Sequence, residues 1–227
     1  MADVVLLEWE GVLADTQQVR RDALRRALSA EGVAHTLSDD DEQLRGLGVR
    51  AAVRVVMRHI GSSDVILAEL LEMRARREFA SHLAQGLVLT LGATAFVERL
   101  QARVRVAVVS RASRDECESV LRQSGLEPAV SAIVCADDID DDAPSIGLYQ
   151  HAVARLGRLR SVAADSVAIV DRGASIRAAR DAGVRVVCVG APRDEAADAD
   201  VAVDTLGDLR PSAWLSSPSA VQRAGGA

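Results

Sequence analysis

The spacing of hydrophobic residues changes along this chain near residue 85. A short apolar run at Asp3–Glu8 predicts a buried strand. The residues from Thr16 to about Gln85 then follow helical spacing, without a convincing strand. On the first of these segments the apolar face consists of Val19, Ala23, Leu24, Ala27 and Leu28, and the opposite face carries Arg20, Arg21, Arg25 and Arg26. This half of the pattern therefore predicts a group of amphipathic helices.

After Gln85, continuous apolar runs alternate with helix-like segments. The apolar runs are VRVAVVS, AVSAIVCA, DSVAIVD, VRVVCVG and a short one at Asp200–Val203. The helix-like segments are Ala93–Ala102, Arg114–Gln123, Ile146–Leu156 and Ala174–Ala182. Such alternation is typical of βαβ units whose parallel strands are buried on both faces. We therefore predict a doubly wound α/β, Rossmann-like core with a helical insert after its first strand.

The same pattern gives the expected division of the chain. Residues 1–15 and 86–210 should form the α/β core, and residues 16–85 a helical cap. Residues 211–227, rich in Ser, Pro, Gly and Ala, should form a loose tail. In a doubly wound sheet the ligand site lies outside the carboxyl ends of the strands.

Polar groups follow four of the predicted strands at that edge. They are Glu8 and Glu10, Ser110 and Arg111, the acidic run Asp137–Asp142, and Asp171 with Arg172. Polar residues also occur wherever strands enter loops, so these groups alone do not establish a site. The predicted loops at the opposite edge are less rich in such groups. The sequence therefore favours a ligand site built from these strand ends.

Composition narrows the class of protein. With 227 residues, 49% of them hydrophobic, the chain is expected to be globular. It shows no basic signal-peptide start and no apolar run of membrane-spanning length, so we expect a cytoplasmic protein without a membrane partner. Three cysteines without a C-x-x-C fit a reduced compartment. The net charge of −6 argues against nucleic acid as the main partner. The oligomeric state stays open.

All 27 basic residues are arginines, and lysine is absent. With abundant alanine and valine, this bias is explained first by the coding composition of the gene. Whatever its origin, it has a firm chemical consequence. Any mechanism that requires a lysine ammonium group is closed to this chain.

The order of these strand-end groups, with a helical insert after the first, resembles the haloacid dehalogenase superfamily, in the branch of phosphoglycolate phosphatases and β-phosphoglucomutases. Four motifs carry the resemblance. The family's D-x-D-G-[VI]-[LI]-x-D-[ST] is matched by EWEGVLADT, which begins at Glu8. Its strand-ending serine or threonine is matched by Ser110. Its K-P-x-P-[DE]-x-[YF] is matched by APSIGLY at Ala143–Tyr149, and its E-D-S-x-x-G-I motif by VDRGASI at Val170–Ile176. The resemblance covers roughly residues 3 to 210.

The resemblance implies a role for each matched position. In the family the first aspartate attacks phosphorus and the second acts as acid and base, and these positions are Glu8 and Glu10 here. Ser110 would bind the phosphate, with Arg111 and Arg172 as candidate cations beside it. Mg²⁺ would be held by Glu8, the backbone carbonyl of Glu10, and Asp171. This ligand set is reduced, because Val170 stands in place of one acid, so we expect Mg²⁺ binding that is weak or lost.

The departures from the family pattern fall on the chemistry. Glu8 carries its carboxylate about one bond further than an aspartate, ~1.5 Å. A misplacement of ~1 Å can cost about a hundredfold in rate. Ala143 replaces the motif lysine, and losing one such charge costs roughly 10²–10³.

The two arginines and the acidic run each allow two interpretations. Arg111 and Arg172 would either bind phosphate in place of the lysine or form ion pairs with Glu8, Glu10 or Asp171. The acidic run Asp137–Asp142 would be either a solvated loop or a second cation site.

The sequence thus predicts a haloacid dehalogenase-like hydrolase with phosphomonoester hydrolysis lost or very weak. One alternative is an active, atypical Mg²⁺-dependent phosphatase of a small phosphorylated metabolite. Another is a non-catalytic binding or regulatory module that uses the cleft between cap and core.

Overall fold

A parallel β-sheet with helices on both faces forms the centre of the molecule. The computed structural model describes residues 4–34, 43–44, 46–86, 89–139, 146–157 and 166–210. Within this part of the chain the sheet has six strands in the order β3-β2-β1-β4-β5-β6, and every neighbouring pair is parallel. The strands are β1 (Val4–Glu8), β2 (Arg105–Val109), β3 (Ala132–Val134), β4 (Ser166–Val170), β5 (Arg185–Val189) and β6 (Val201–Val203).

Seven α-helices accompany the sheet in the described residues. They are α1 (Gln17–Ala30), α2 (Val49–His59), α3 (Val65–Leu83), α4 (Ala93–Gln101), α5 (Arg114–Gln123), α6 (Ile146–Gly157) and α7 (Gly173–Asp181). The predicted doubly wound α/β fold is confirmed, and its strands and helices follow the predicted order. The predicted tail at 211–227, Ala143 and Asp140–Asp142 lie outside the described residues.

The central strands are apolar on both faces because both faces are covered. Val5 and Leu7 of β1 point into one core cluster, together with Phe96 of α4. Val4 and Leu6 point into a second cluster on the opposite face of the sheet, together with residues of α6 and α7. Side chains alternate along a strand, so a continuous apolar run is what a sheet buried on two faces requires.

Helices α1, α2 and α3, together with residues 46–48 before α2, form a layer with a hydrophobic cluster of its own, and we refer to them as the helical layer. Leu28 of α1, Val56 of α2 and Leu71 of α3 are buried in this cluster. None of the described residues between 16 and 85 belongs to a strand, as predicted. In the described part of the chain, no helix has the length and apolar character that crossing a membrane would demand.

One prediction about the helical layer is wrong. Arg20 was expected on the polar face of α1, but its side chain is only 6% exposed. Its guanidinium lies over the ring of Phe79, 5.1 Å from the centroid. Helical spacing predicted a solvent-facing arginine, because it could not include the carboxylates from elsewhere in the chain that bind this side chain.

Candidate active site

The carboxyl ends of the central strands bring the predicted site residues to one edge of the sheet. Glu8 at the end of β1 is paired in register with Val109 of β2, and Leu7 with Ile169 of β4. Ser110 and Asp171 come directly after those neighbouring strands. A cleft of about 200 Å³ opens at this edge. Its polar lining includes Glu8, Gln43, Ser110, Arg111, Tyr149, Arg172 and Ser175.

A tight turn follows β1 and explains the glycine after the two acids. The carbonyl of Trp9 accepts hydrogen bonds from the backbone N–H groups of Leu13 and Ala14, both at 3.0 Å. Gly11 has a φ of 78°, in the region that favours glycine. A Cβ at Gly11 would collide with the carboxylate of Asp171. The glycine therefore lets the Asp171 side chain approach the turn that carries Glu8 and Glu10.

The carboxylate of Glu8 is bound on one of its two oxygens. Ser175 Oγ donates a hydrogen bond of 2.6 Å to Oε1, and Arg172 Nη2 donates one of 3.0 Å to the same atom. The other oxygen, Oε2, is buried and accepts no hydrogen bond from the described residues. One oxygen of Glu8 is thus bound by residues at the start of α7, and the other accepts no hydrogen bond from the described residues.

Arg172 lies between two carboxylates. Besides its bond to Glu8, its Nε is 3.5 Å from Asp171 Oδ1 and donates a hydrogen bond of 3.2 Å to Ser175 Oγ. Burial opposes the charge on this guanidinium, yet the charges of Glu8 and Asp171 raise the pKa of Arg172 above the ordinary arginine value. The helical layer covers it as well, because a Cβ at Gly46, whose φ is 70°, would collide with the guanidinium.

Arg111 and Ser110 line the same cleft on its β2 side. Burial, and next the neighbouring charge of Arg172, lower the pKa of Arg111, and Glu8 partly offsets this. The Oγ of Ser110 accepts a hydrogen bond of 2.9 Å from the backbone N–H of Ala112. The backbone N–H of Gly48 donates to the carbonyl of Arg111 at 3.2 Å, so the helical layer also contacts this side of the cleft.

Glu10 does not line the cleft. Its Oε1 accepts from the backbone N–H of Thr16 at 2.8 Å, and its Oε2 accepts from Thr16 Oγ1 at 2.7 Å and from Arg20 Nη1 at 2.8 Å. Arg20 also donates to Glu116 Oε2 of α5 at 3.1 Å. The structure therefore places Glu10 in a buried ion cluster with Arg20 and Glu116, which joins α1 to α5.

The described residues do not fit a divalent metal at the predicted position. Glu8 Oε1 already accepts from Ser175 and Arg172, and the guanidinium of Arg172 lies beside Asp171. In the part of the chain that the structure describes, no three His, Cys, Asp or Glu side chains are grouped closely enough to hold a metal ion. Mg²⁺ in proteins is usually held by one or two carboxylates together with water, and here the guanidinium of Arg172 already lies against both of the carboxylates in question.

The two described acids of the run, Asp137 and Asp138, both contact Arg114 at the start of α5, and Asp138 also pairs with Arg155. Asp138 accepts hydrogen bonds from Arg114 Nη2 at 2.7 and 2.8 Å, and from the backbone N–H of Cys135 at 2.9 Å. Asp137 accepts from the backbone N–H of Arg114 at 2.7 Å. Asp138 is thus fixed by an ion pair, whereas Asp137 is exposed, and neither belongs to a group of three described His, Cys, Asp or Glu side chains that could hold a metal ion.

Three residues that shape the site were not predicted from the sequence. Ser175, which stands where the family motif has glycine, donates to Glu8. Tyr149 lines the same cleft as Glu8, and burial, and next the charge of Glu8, raise the pKa of Tyr149 well above its ordinary value. Gly46 admits the Arg172 guanidinium. The serine at the glycine position of the motif can be seen in the sequence. The role of Gly46 cannot, because it depends on a contact between distant parts of the chain.

The model of one protein family, described as haloacid dehalogenase-like hydrolase, matches residues 5–189. The chain belongs to this family. Validoxylamine A 7'-phosphate phosphatase from Streptomyces hygroscopicus subsp. limoneus is 28% identical over 220 residues, which cover 92% of this chain and 97% of that protein. The predicted placement in the phosphatase and phosphomutase branch of the superfamily is confirmed.

Solved structures show the same fold. A variant of CbbY from Rhodobacter sphaeroides in complex with xylulose-(1,5)bisphosphate superposes with a TM-score of 0.80 and is 24% identical, covering 92% of this chain and 96% of that one. The β-phosphoglucomutase of Clostridium difficile superposes with a TM-score of 0.82 at 17% identity, covering 94% of this chain and 95% of that one. The likeness extends over nearly the whole length of these relatives.

Proposed function

We propose that this chain binds a small phosphorylated metabolite in the cleft and that its hydrolysis of phosphomonoesters is lost or very weak. The proposed loss of hydrolysis rests on the hydrogen bonds that the carboxylate of Glu8 accepts. Its Oε1 accepts from both Ser175 and Arg172, at 2.6 and 3.0 Å. A carboxylate oxygen held by two donors, one of them charged, is a poor nucleophile because attack on phosphorus would sacrifice both bonds.

Phosphate binding is supported by the two arginines of the cleft. Arg111 and Arg172 are close enough for the charge of one to lower the pKa of the other. An anion between them would relieve this repulsion, and guanidinium groups bind phosphate bidentately. The hydroxyl of Ser110 lies in the same cleft. The phosphatase relative supports the class of ligand, since its name specifies a phosphorylated small molecule, validoxylamine A 7'-phosphate.

The proposed role of the helical layer is that of a cap over this ligand. Gly46 and Gly48 bring the loop before α2 against Arg172 and the Arg111 carbonyl. A cleft closed in this way excludes water, which strengthens the interaction of the arginines with an anion.

An active, atypical phosphatase is the second candidate, and Glu8 Oε2 favours it. This oxygen accepts no hydrogen bond from the described residues, and Glu8 is one of the residues that line the cleft. It could attack a phosphate from that side, with Arg111 supplying the charge that the missing lysine would give.

Separate measurements of phosphate binding and of turnover distinguish a binding protein without hydrolysis from an active phosphatase. Inorganic phosphate binding is followed by calorimetry in wild type, in Arg111→Gln and in a control, Arg103→Gln. Arg103 is an exposed arginine before β2, at the opposite edge of the sheet, so it matches the charge change without touching the cleft. We expect Arg111→Gln to weaken binding by about tenfold or more and the control to leave it unchanged. Equal binding by all three proteins would refute the proposed ligand site.

Turnover is tested on a panel of sugar phosphates and small organic phosphate esters, with and without Mg²⁺. We expect none above background. Turnover that disappears in Glu8→Gln would establish the second candidate instead. Restoring the family residues by Glu8→Asp, Glu10→Asp and Ala143→Lys, together with Arg172→Ser to release the nucleophile, should create measurable phosphatase activity. A folded variant of this kind that stays inert would mean that the cleft does not admit a phosphate ester.

A further inference from the structure

We propose that the guanidinium of Arg172 is a built-in cation that takes the place of a divalent metal between Glu8 and Asp171. Phosphatases of this family generally use Mg²⁺. The inference is that this chain binds oxyanions such as phosphate without any metal.

The first observation that supports this replacement is the position of Arg172. Its Nη2 is 3.0 Å from Glu8 Oε1 and its Nε is 3.5 Å from Asp171 Oδ1. These carboxylates follow adjacent parallel strands, β1 and β4. They are also the two side chains that the family resemblance assigned to the metal. A metal ion between them would have to displace the guanidinium.

The guanidinium is fixed in this position on several sides. Ser175 Oγ accepts a hydrogen bond from Arg172 Nε at 3.2 Å. The side chain of Arg172 is only 11% exposed. The backbone at Gly46 leaves no room for a side chain above it. A buried arginine held by two carboxylates and a hydroxyl is preorganised, so its charge is available without reorganisation when a ligand arrives.

Charge balance gives an independent reason. Glu8 and Asp171 carry two negative charges, and Arg172 and Arg111 carry two positive ones at the same edge of the sheet. Each carboxylate charge is already matched by a guanidinium charge, so the group has no excess negative charge to attract a divalent cation. Charge balance therefore gives a metal ion no advantage at this position.

The first test measures Mn²⁺ binding by electron paramagnetic resonance and Mg²⁺ binding by calorimetry. Arg172→Ser introduces the serine of the family motif and releases both carboxylates. Arg177→Ser, an exposed position on the same helix α7, is the matched control. We expect wild type and Arg177→Ser to bind neither metal at this site, and Arg172→Ser to gain at least about 100-fold in affinity. Adding Glu8→Gln to Arg172→Ser should abolish the gain.

Two results would overturn the proposal. One is stoichiometric Mn²⁺ binding by wild type that Asp171→Ala removes, and it needs no variant of Arg172 to fold. The other is a folded Arg172→Ser, verified by circular dichroism, that gains no metal affinity. Arg172→Gln, closer in volume, replaces the serine variant if that protein does not fold.

A second test measures inorganic phosphate binding by wild type in the presence of a chelator, and it rests on the proposed function. Unchanged affinity after chelation supports the built-in cation. Phosphate binding that appears only with Mg²⁺ would overturn the built-in cation while leaving the proposed function standing. Absent phosphate binding under both conditions, with the metal results as expected, would refute the proposed function and leave the metal replacement by Arg172 supported.

Discussion

Substituting Arg20→Gln should destabilise the protein by about 3–5 kcal/mol, because it leaves two buried carboxylates without their shared cation. Arg20 bonds to Glu10 at 2.8 Å and to Glu116 at 3.1 Å, and the side chains of both acids are only 7% exposed. It also donates to Thr16 Oγ1 at 3.2 Å. Glutamine could replace at most part of these bonds and none of the charge.

The magnitude follows from what remains after the substitution. Glu10 would keep its two bonds from Thr16, whereas Glu116 would keep one bond of 3.2 Å, from Ser113 Oγ. Hydrogen bonds to charged groups contribute roughly 1.5–3 kcal/mol each, and an unpaired buried charge adds to that loss. For a chain of this size the melting temperature should fall by roughly 10 °C.

Urea unfolding followed by circular dichroism measures the change, with Arg26→Gln as the control. Arg26 lies on the same helix and pairs with Glu78 at 3.2 Å, but its side chain is 61% exposed. An exposed pair contributes about 0–1 kcal/mol, so the control should be nearly neutral. The reasoning about the buried cluster would be refuted if the two variants lost the same stability.

Further predictions concern the core and the thiols. Asp138→Asn should cost about 1–3 kcal/mol at neutral pH by urea unfolding. Burial alone would raise the pKa of Asp138, but hydrogen bonds from Cys135 and the charge of Arg114 lower it, so its stabilisation is present above the ordinary aspartate pKa and lost as the pH falls through the folded value. The acid-induced loss should therefore shrink in that variant. Ser175→Ala should also cost about 1–3 kcal/mol by the same assay, since it removes the 2.6 Å bond to buried Glu8, and an unchanged midpoint would contradict this. Burial raises the pKa of Cys135 to about 12, so native protein at mildly alkaline pH should resist a thiol-disulfide reagent that labels it readily in urea.

The order of strands and helices could be predicted because it depends on local patterns. The apolar runs are continuous only where both faces of a parallel strand are buried, and the helix Arg114–Gln123 has the predicted bounds. The edge at which Glu8, Ser110 and Arg172 meet followed from the rule that parallel strands end together.

The partners of the charged side chains could not be predicted in the same way. The sequence allowed either phosphate or a carboxylate as the partner of Arg172. Its contact with Glu8 joins residues that are 164 positions apart. Arg20 and Glu116 are 96 positions apart, so helical periodicity could not indicate that this arginine is buried. Hydrophobic spacing reports which face of an element is covered, but an ion pair depends on the relative placement of two elements.

The turn after β1 also gives the protein an optical property. Trp9 stands between Glu8 and Glu10, its side chain is buried in a core cluster, and its carbonyl accepts the hydrogen bonds that close the turn. The indole Nε1–H donates no hydrogen bond within the described residues. An indole in so apolar a setting emits at short wavelength, and a ligand that shifts either acid would change the field around it. In a Trp214→Phe variant, which leaves Trp9 as the single tryptophan of the sequence, intrinsic fluorescence can therefore follow events in the cleft without any attached dye.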